Sequence, residues 1–256
     1  MKLKLIKGLA WLALTGLLAA LSRWDAGFLV FPVFGENLRI SPGLALVPLL
    51  GIGFGPLAGT MGALAGGYLA QVWVPQTAFA GEWTFAGAAL TALICGLLVK
   101  RNWIGAFLAG MPAVVLWLVL SRGLPAAVFT LVFVTNLLVT TVLAGIFGTD
   151  FMGGPGPLYR LVGYLLVVWS GLSGGLLALA GLSAGYYTLP EYMWDGVALY
   201  QFLRFLFQFS GLALIPVWLG RMVIPRFFRR EGDRLFPDRD NPVTGILNGL
   251  RRTFKK

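Results

Sequence analysis

Leu46-Val47-Pro48-Leu49-Leu50-Gly51-Ile52-Gly53-Phe54-Gly55-Pro56-Leu57-Ala58-Gly59-Thr60-Met61-Gly62-Ala63-Leu64-Ala65-Gly66-Gly67 is the stretch on which the fold turns. It lies in an apolar run over 42–74, and thirty-three residues are too many for one straight membrane crossing, which takes about 20. A break must fall inside it. Gly53-Phe54-Gly55-Pro56 supplies one, because proline cannot donate to the helix ladder and the flanking glycines permit a tight reversal. A single long kinked helix is the competing reading. Two helices, 42–55 and 56–74, account for the length better.

Outward from this stretch the chain stays apolar. Of its 256 residues 58% are hydrophobic and 12% charged, and the mean hydropathy is +0.82. Too little polar side chain is present to cover a water-facing sphere, so lipid is the main solvent. Six further apolar runs, at 6–23, 84–99, 103–121, 124–147, 159–182 and 197–225, bring the expectation to eight transmembrane helices. The first, after Met-Lys-Leu-Lys, reads as a retained helix and not a cleaved signal. The fold class is therefore all-α, a polytopic membrane helix bundle spanning residues 1–225, with a basic tail over 226–256.

Lysine and arginine set the orientation. With the N-terminus cytoplasmic, Lys2, Lys4, Lys7, Lys100, Arg101, Arg160 and nine tail residues gather inside, and only Arg23, Arg39 and Arg122 outside. Asp25, Glu36, Glu82, Glu191 and Asp195 fall outside. Both ends are then cytoplasmic, in a multi-pass protein of the cytoplasmic (inner) membrane. The tail opens on charged residues. From Asn241-Pro242 it becomes an amphipathic helix, with Ile246, Leu247, Leu250 and Phe254 opposite Arg251, Arg252, Lys255 and Lys256. Such a helix lies among headgroups, or docks a cytoplasmic partner. This clustering reads the net charge of +10 as lipid contact, with no nucleic acid.

Chemistry is bounded by what is missing. There is no histidine and one cysteine, Cys95, which removes imidazole ligation, histidine-based triads, zinc sites and disulfides. No nucleotide-binding loop is present. We expect no enzyme, no catalytic residue, no metal and no cofactor.

Two residue sets stand out. The 35 glycines concentrate between 51 and 67 and between 171 and 185. Gly55, Gly59, Gly62 and Gly66, with Ala13, Gly16 and Ala20 on the first helix, have spacings that let helix backbones approach closely. They serve packing within the chain or a face for a partner membrane protein. The second set is polar and expected near the outer face: Glu36, Gln71 and Glu82, with Gln201, Arg204 and Gln208 sharing one face of the last helix. These residues would line a ligand pocket, or pair among themselves. Trp73, Trp83 and Trp194 belong to interfacial belts or to the wall of that pocket.

Residues 8–100 resemble the substrate-binding S-component of energy-coupling-factor (ECF) transporters. The likeness lies in the small-residue first helix Ala13-Leu14-Thr15-Gly16-Leu17-Leu18-Ala19-Ala20 and the loop Asn37-Leu38-Arg39-Ile40-Ser41-Pro42-Gly43. It continues in the Phe54-Gly55-Pro56-Leu57-Ala58-Gly59 core, Ala63-Leu64-Ala65-Gly66-Gly67 and the helix Ala89–Leu98. S-components have six helices, against eight expected here. The resemblance implies a capture subunit for a small molecule such as a vitamin or metal ion, driven by a transmembrane coupling protein with two ATPases. The alternative is a non-catalytic scaffold or accessory subunit of a larger membrane complex.

Overall fold

The computed structural model of the chain describes residues 2–22, 30–33, 36–39, 43, 46–75, 83–120, 124–152 and 157–186. The elements are α1 (Lys2–Ser22), strands β1 (Val30–Val33) and β2 (Glu36–Arg39), α2 (Val47–Trp73), α3 (Phe85–Val99), α4 (Trp103–Leu120) and α5 (Leu124–Leu143). A π-helical turn (Ala144–Gly148), α6 (Thr149–Met152) and α7 (Pro157–Tyr186) follow. The described residues are helical apart from the short antiparallel ribbon β1–β2, which pairs Val30 with Arg39 and Val33 with Glu36. Among the described residues, the helical segments Val47–Trp73, Val134–Met152 and Leu158–Leu179 are long and apolar enough to cross a membrane by length and composition, the first of them interrupted at Gly55. The expected eighth span at 197–225 and the amphipathic tail helix lie outside the described residues.

α2 reverses within itself. Gly55 has φ 82° and ψ 179°, a non-helical conformation that glycine adopts without steric cost. A Cβ on Gly59 would stand 2.5 Å from the Leu50 carbonyl oxygen and 2.7 Å from Gly51 Cα. In a straight helix positions 51 and 59 are about 12 Å apart; here they touch. The two limbs, 47–54 and 56–73, therefore run antiparallel. The first is shorter than the sequence pattern implies, since helix begins only at Val47, with Pro48 in its first turn, where a missing N–H costs nothing. That limb rises about 12 Å, less than half a hydrocarbon core. Before it, Gly43 and Leu46 are buried in 3₁₀ conformation. Non-helical backbone is tolerated at membrane depth when protein covers it.

Close glycine contacts fix the other directions. Gly62 and Gly66 of α2 meet Trp11, Thr15 and Leu18 of α1, so the second limb runs parallel to α1. Gly67 meets Phe85 while Gly96 meets Pro56, so α3 runs antiparallel to that limb. Gly110 against Leu137, with Gly145 against Trp103, sets α5 antiparallel to α4. Gly87 against Leu179, with Gly171 against Cys95, sets α7 antiparallel to α3. Neighbouring segments thus alternate in direction, and Lys7, Lys100, Arg101 and Arg160 all come to the same end. We call this the basic end.

Five hydroxyl groups inside the helices are satisfied locally, whereas those of Thr15, Thr149 and Ser170 are buried without a partner. Thr60, Thr91, Thr140, Thr141 and Ser173 each donate to the carbonyl four residues back, at 2.5–3.0 Å. This pairing lets a polar side chain sit where no water can reach it.

Candidate functional site

The small-residue set divides by location. Gly59, Gly62 and Gly66 are buried and spent on contacts inside the chain: Gly59 on the first limb of α2, and Gly62 and Gly66 on α1. Gly55 makes the reversal. On α1 the face opposite to this seam is open. Ala13, Gly16 and Ala20 are exposed, and a Cβ added at Gly16 would meet nothing within 4 Å. Leu9, Leu12 and Leu17 flank them, also exposed. The result is an apolar helix face with a shallow lane of small residues along it.

The polar set is represented by two residues. Glu36 begins β2, its backbone paired with Val33. Gln71 is half-buried in the last turns of α2, away from the basic end. Glu82, Gln201, Arg204 and Gln208 lie outside the described residues, as does Trp194. Around the end of α2 that holds Gln71, aromatic rings gather. Phe85 packs edge-on to Tyr68 at 5.8 Å and tilted against Trp83 at 5.8 Å. Trp73 and Trp83 are exposed. Aromatic rings with one half-buried amide can hold the planar part of a small molecule, or sit at a membrane interface. Among the described residues no group of three histidine, cysteine, aspartate or glutamate residues could hold a metal ion.

Two features escape a reading of the sequence. The first is the setting of Cys95. The residue is buried with its Cβ against Gly51 of α2 and its thiol against Gly171 of α7, and the thiol donates to the Val167 carbonyl at 3.5 Å. Three backbones converge there because neither glycine carries a Cβ. Glycine spacing points to close approach, but not to Cys95 as the meeting point.

The second lies at the basic end. α3 stops at a Schellman turn: the Arg101 N–H donates to Leu98 O at 2.8 Å and the Asn102 N–H to Leu97 O at 2.9 Å. The left-handed position of this turn, usually glycine, is held by Arg101 at φ 59°. Among the described residues Arg101 alone combines a side chain with positive φ. Asn102 then caps α4, its Oδ1 accepting the Gly105 N–H at 2.8 Å. From this strained position the Arg101 guanidinium donates to Asp150 Oδ1 of α6 at 2.6 Å. The partners are 49 residues apart, too far for any local pattern to pair them.

No family model, no curated protein and no solved structure matches this chain.

Proposed function

We propose that the chain is a non-enzymatic integral membrane subunit that captures a small molecule for an importer of the energy-coupling-factor type. The exposed small-residue face of α1 is the observation that supports this reading. Gly59, Gly62 and Gly66 of α2, Gly87 and Gly96 of α3 and Gly171 of α7 are used in contacts inside the chain, whereas Ala13, Gly16 and Ala20 face outward. In lipid, apolar side chains gain little by meeting one another, so close helix association relies on small residues that let backbones approach. A helix serving only lipid contact has no need of such a lane. The lane accepts a helix of a transmembrane coupling protein, while the aromatic end near Gln71, with Glu36, Glu82, Gln201, Arg204 and Gln208, holds the ligand. The basic end and the tail meet anionic lipid.

The test is purification of the tagged full chain from its own membranes in mild detergent, followed by identification of the proteins that stay bound. Two ATPases and one further membrane protein in fixed proportion support the importer. A stable assembly without ATPases transfers the chain to the scaffold class.

A further inference from the structure

We propose that the π turn at Ala144–Gly148 is a two-register switch, biased toward its present register by the Arg101–Asp150 ion pair together with the close glycine contacts around the turn. A π turn adds one residue to a helical turn, and converting it to α-helix rotates the downstream residues by about 100°. Three observations at this place fit together.

The first is a hydroxyl left over. Thr149 is 2% exposed, and its Oγ1 has no hydrogen-bond partner. Thr140 and Thr141, just before the turn on the same helical run, both back-bond to the fourth carbonyl upstream. Thr149, directly after the turn, does not. A buried polar group without a partner costs about 1–3 kcal/mol. In an α register the carbonyl of Gly145 would come within its reach, as the corresponding carbonyls do for Thr140 and Thr141.

The second is strain in the holding residue. Arg101 occupies a left-handed position at which a side chain costs about 1–2 kcal/mol. Its guanidinium reaches Asp150, the residue next to Thr149. Rotation of α6 would carry Asp150 away from Arg101. The ion pair and the unpartnered hydroxyl therefore oppose each other across the same turn.

The third is close glycine packing around the turn. Gly145 lies on Trp103, Gly148 on Val167, and Gly163 of α7 stands with its Cβ position 2.5 Å from both Gly148 O and Met152 N. Contacts this close favour the present register, because rotation would bring a side chain to a position that only glycine now fits. The rings of Phe147, Phe151 and Tyr159, at 5.9 Å and 5.6 Å, border this contact and report on it.

The experiment places a trifluoromethyl-phenylalanine at Phe151 in the full-length protein and reads its fluorine resonance in detergent. Two resonances are expected. Asp150→Asn enlarges the minor one by about two- to fivefold, the range an exposed ion pair supports. Arg101→Gly, which keeps the Schellman turn but lacks the guanidinium, does the same. Thr149→Val, which removes the hydroxyl that gains a partner, reverses the effect in the Asp150→Asn background. A single resonance unmoved by Asp150→Asn and Arg101→Gly overturns the switch. So does a shift that Thr149→Val leaves in place, since a purely structural ion pair would not sense that hydroxyl.

Discussion

The indole N–H of Trp11 donates to the carbonyl oxygen of Ala58 at 2.8 Å, joining α1 to the second limb of α2 just beyond the reversal. That carbonyl lies in the first turn of the second limb. The indole fits because residue 62 lacks a Cβ: one placed there would stand 2.8 Å from Trp11 Nε1. Glycine at 62 and tryptophan at 11 are thus one feature, not two.

Gly62→Leu should lower thermal stability in detergent by an amount equivalent to about 1–3 kcal/mol, the usual cost of overpacking. Gly16→Leu, on the open face of the neighbouring helix, should melt like the wild type. Equal melting of both variants would remove the distinction between the two sides of α1.

Trp11→Phe keeps most of the ring and loses the hydrogen bond. It should cost about 1 kcal/mol, less than Gly62→Leu, in the same detergent melt. A larger loss than for Gly62→Leu would mean that ring volume and not the Ala58 contact holds the seam.

Cys95 should resist a membrane-permeant maleimide in the native protein and react fully after denaturation, because its sulfur is buried against Gly171 and the Val167 carbonyl. Gly171→Ala directs a methyl group into that sulfur and should destabilise the fold. Labelling of the native protein at the denatured rate would contradict the packing at this node.

At the α3–α4 turn, Arg101→Gly should be more stable than Arg101→Ala by about 1 kcal/mol, since both lose the ion pair but only glycine escapes the left-handed penalty. The coupling between Arg101 and Asp150 in a double-mutant cycle should be at most about 1 kcal/mol and should fall as salt is added. The two side chains are 31% and 43% exposed, so solvent screens them. Coupling that is large and independent of salt would contradict an exposed pair.

Much of the helical order is legible because proline, glycine and charge punctuate it. Gly53-Phe54-Gly55-Pro56 marks the reversal, and Lys100-Arg101-Asn102 separates α3 from α4 at the expected place. The start of α2 is less legible and falls several residues later than expected, since Gly43 and Leu46 continue the apolar pattern outside the helix. The π turn is not legible at all: Ala144-Gly145-Ile146-Phe147-Gly148 reads as ordinary apolar helix, and one extra residue per turn leaves no mark on composition. Nor can sequence separate Gly62 from Gly16. Both sit in helices apolar on every side, so no hydrophobic stripe tells which face turns inward. The pairing of Arg101 with Asp150 depends on how α6 packs, which local pattern does not carry.

The open face of α1 is the centre of the functional account, and comparing partner recovery with wild-type chain and with Gly16→Leu tests it most directly. Both tagged proteins are expressed in the native host, purified in mild detergent, and checked for equal melting. The membrane partner and the ATPases are expected to stay with the wild type and to be lost from Gly16→Leu, because leucine fills the lane that a partner helix must enter. Full recovery of the same assembly by a normally folded Gly16→Leu protein would contradict it.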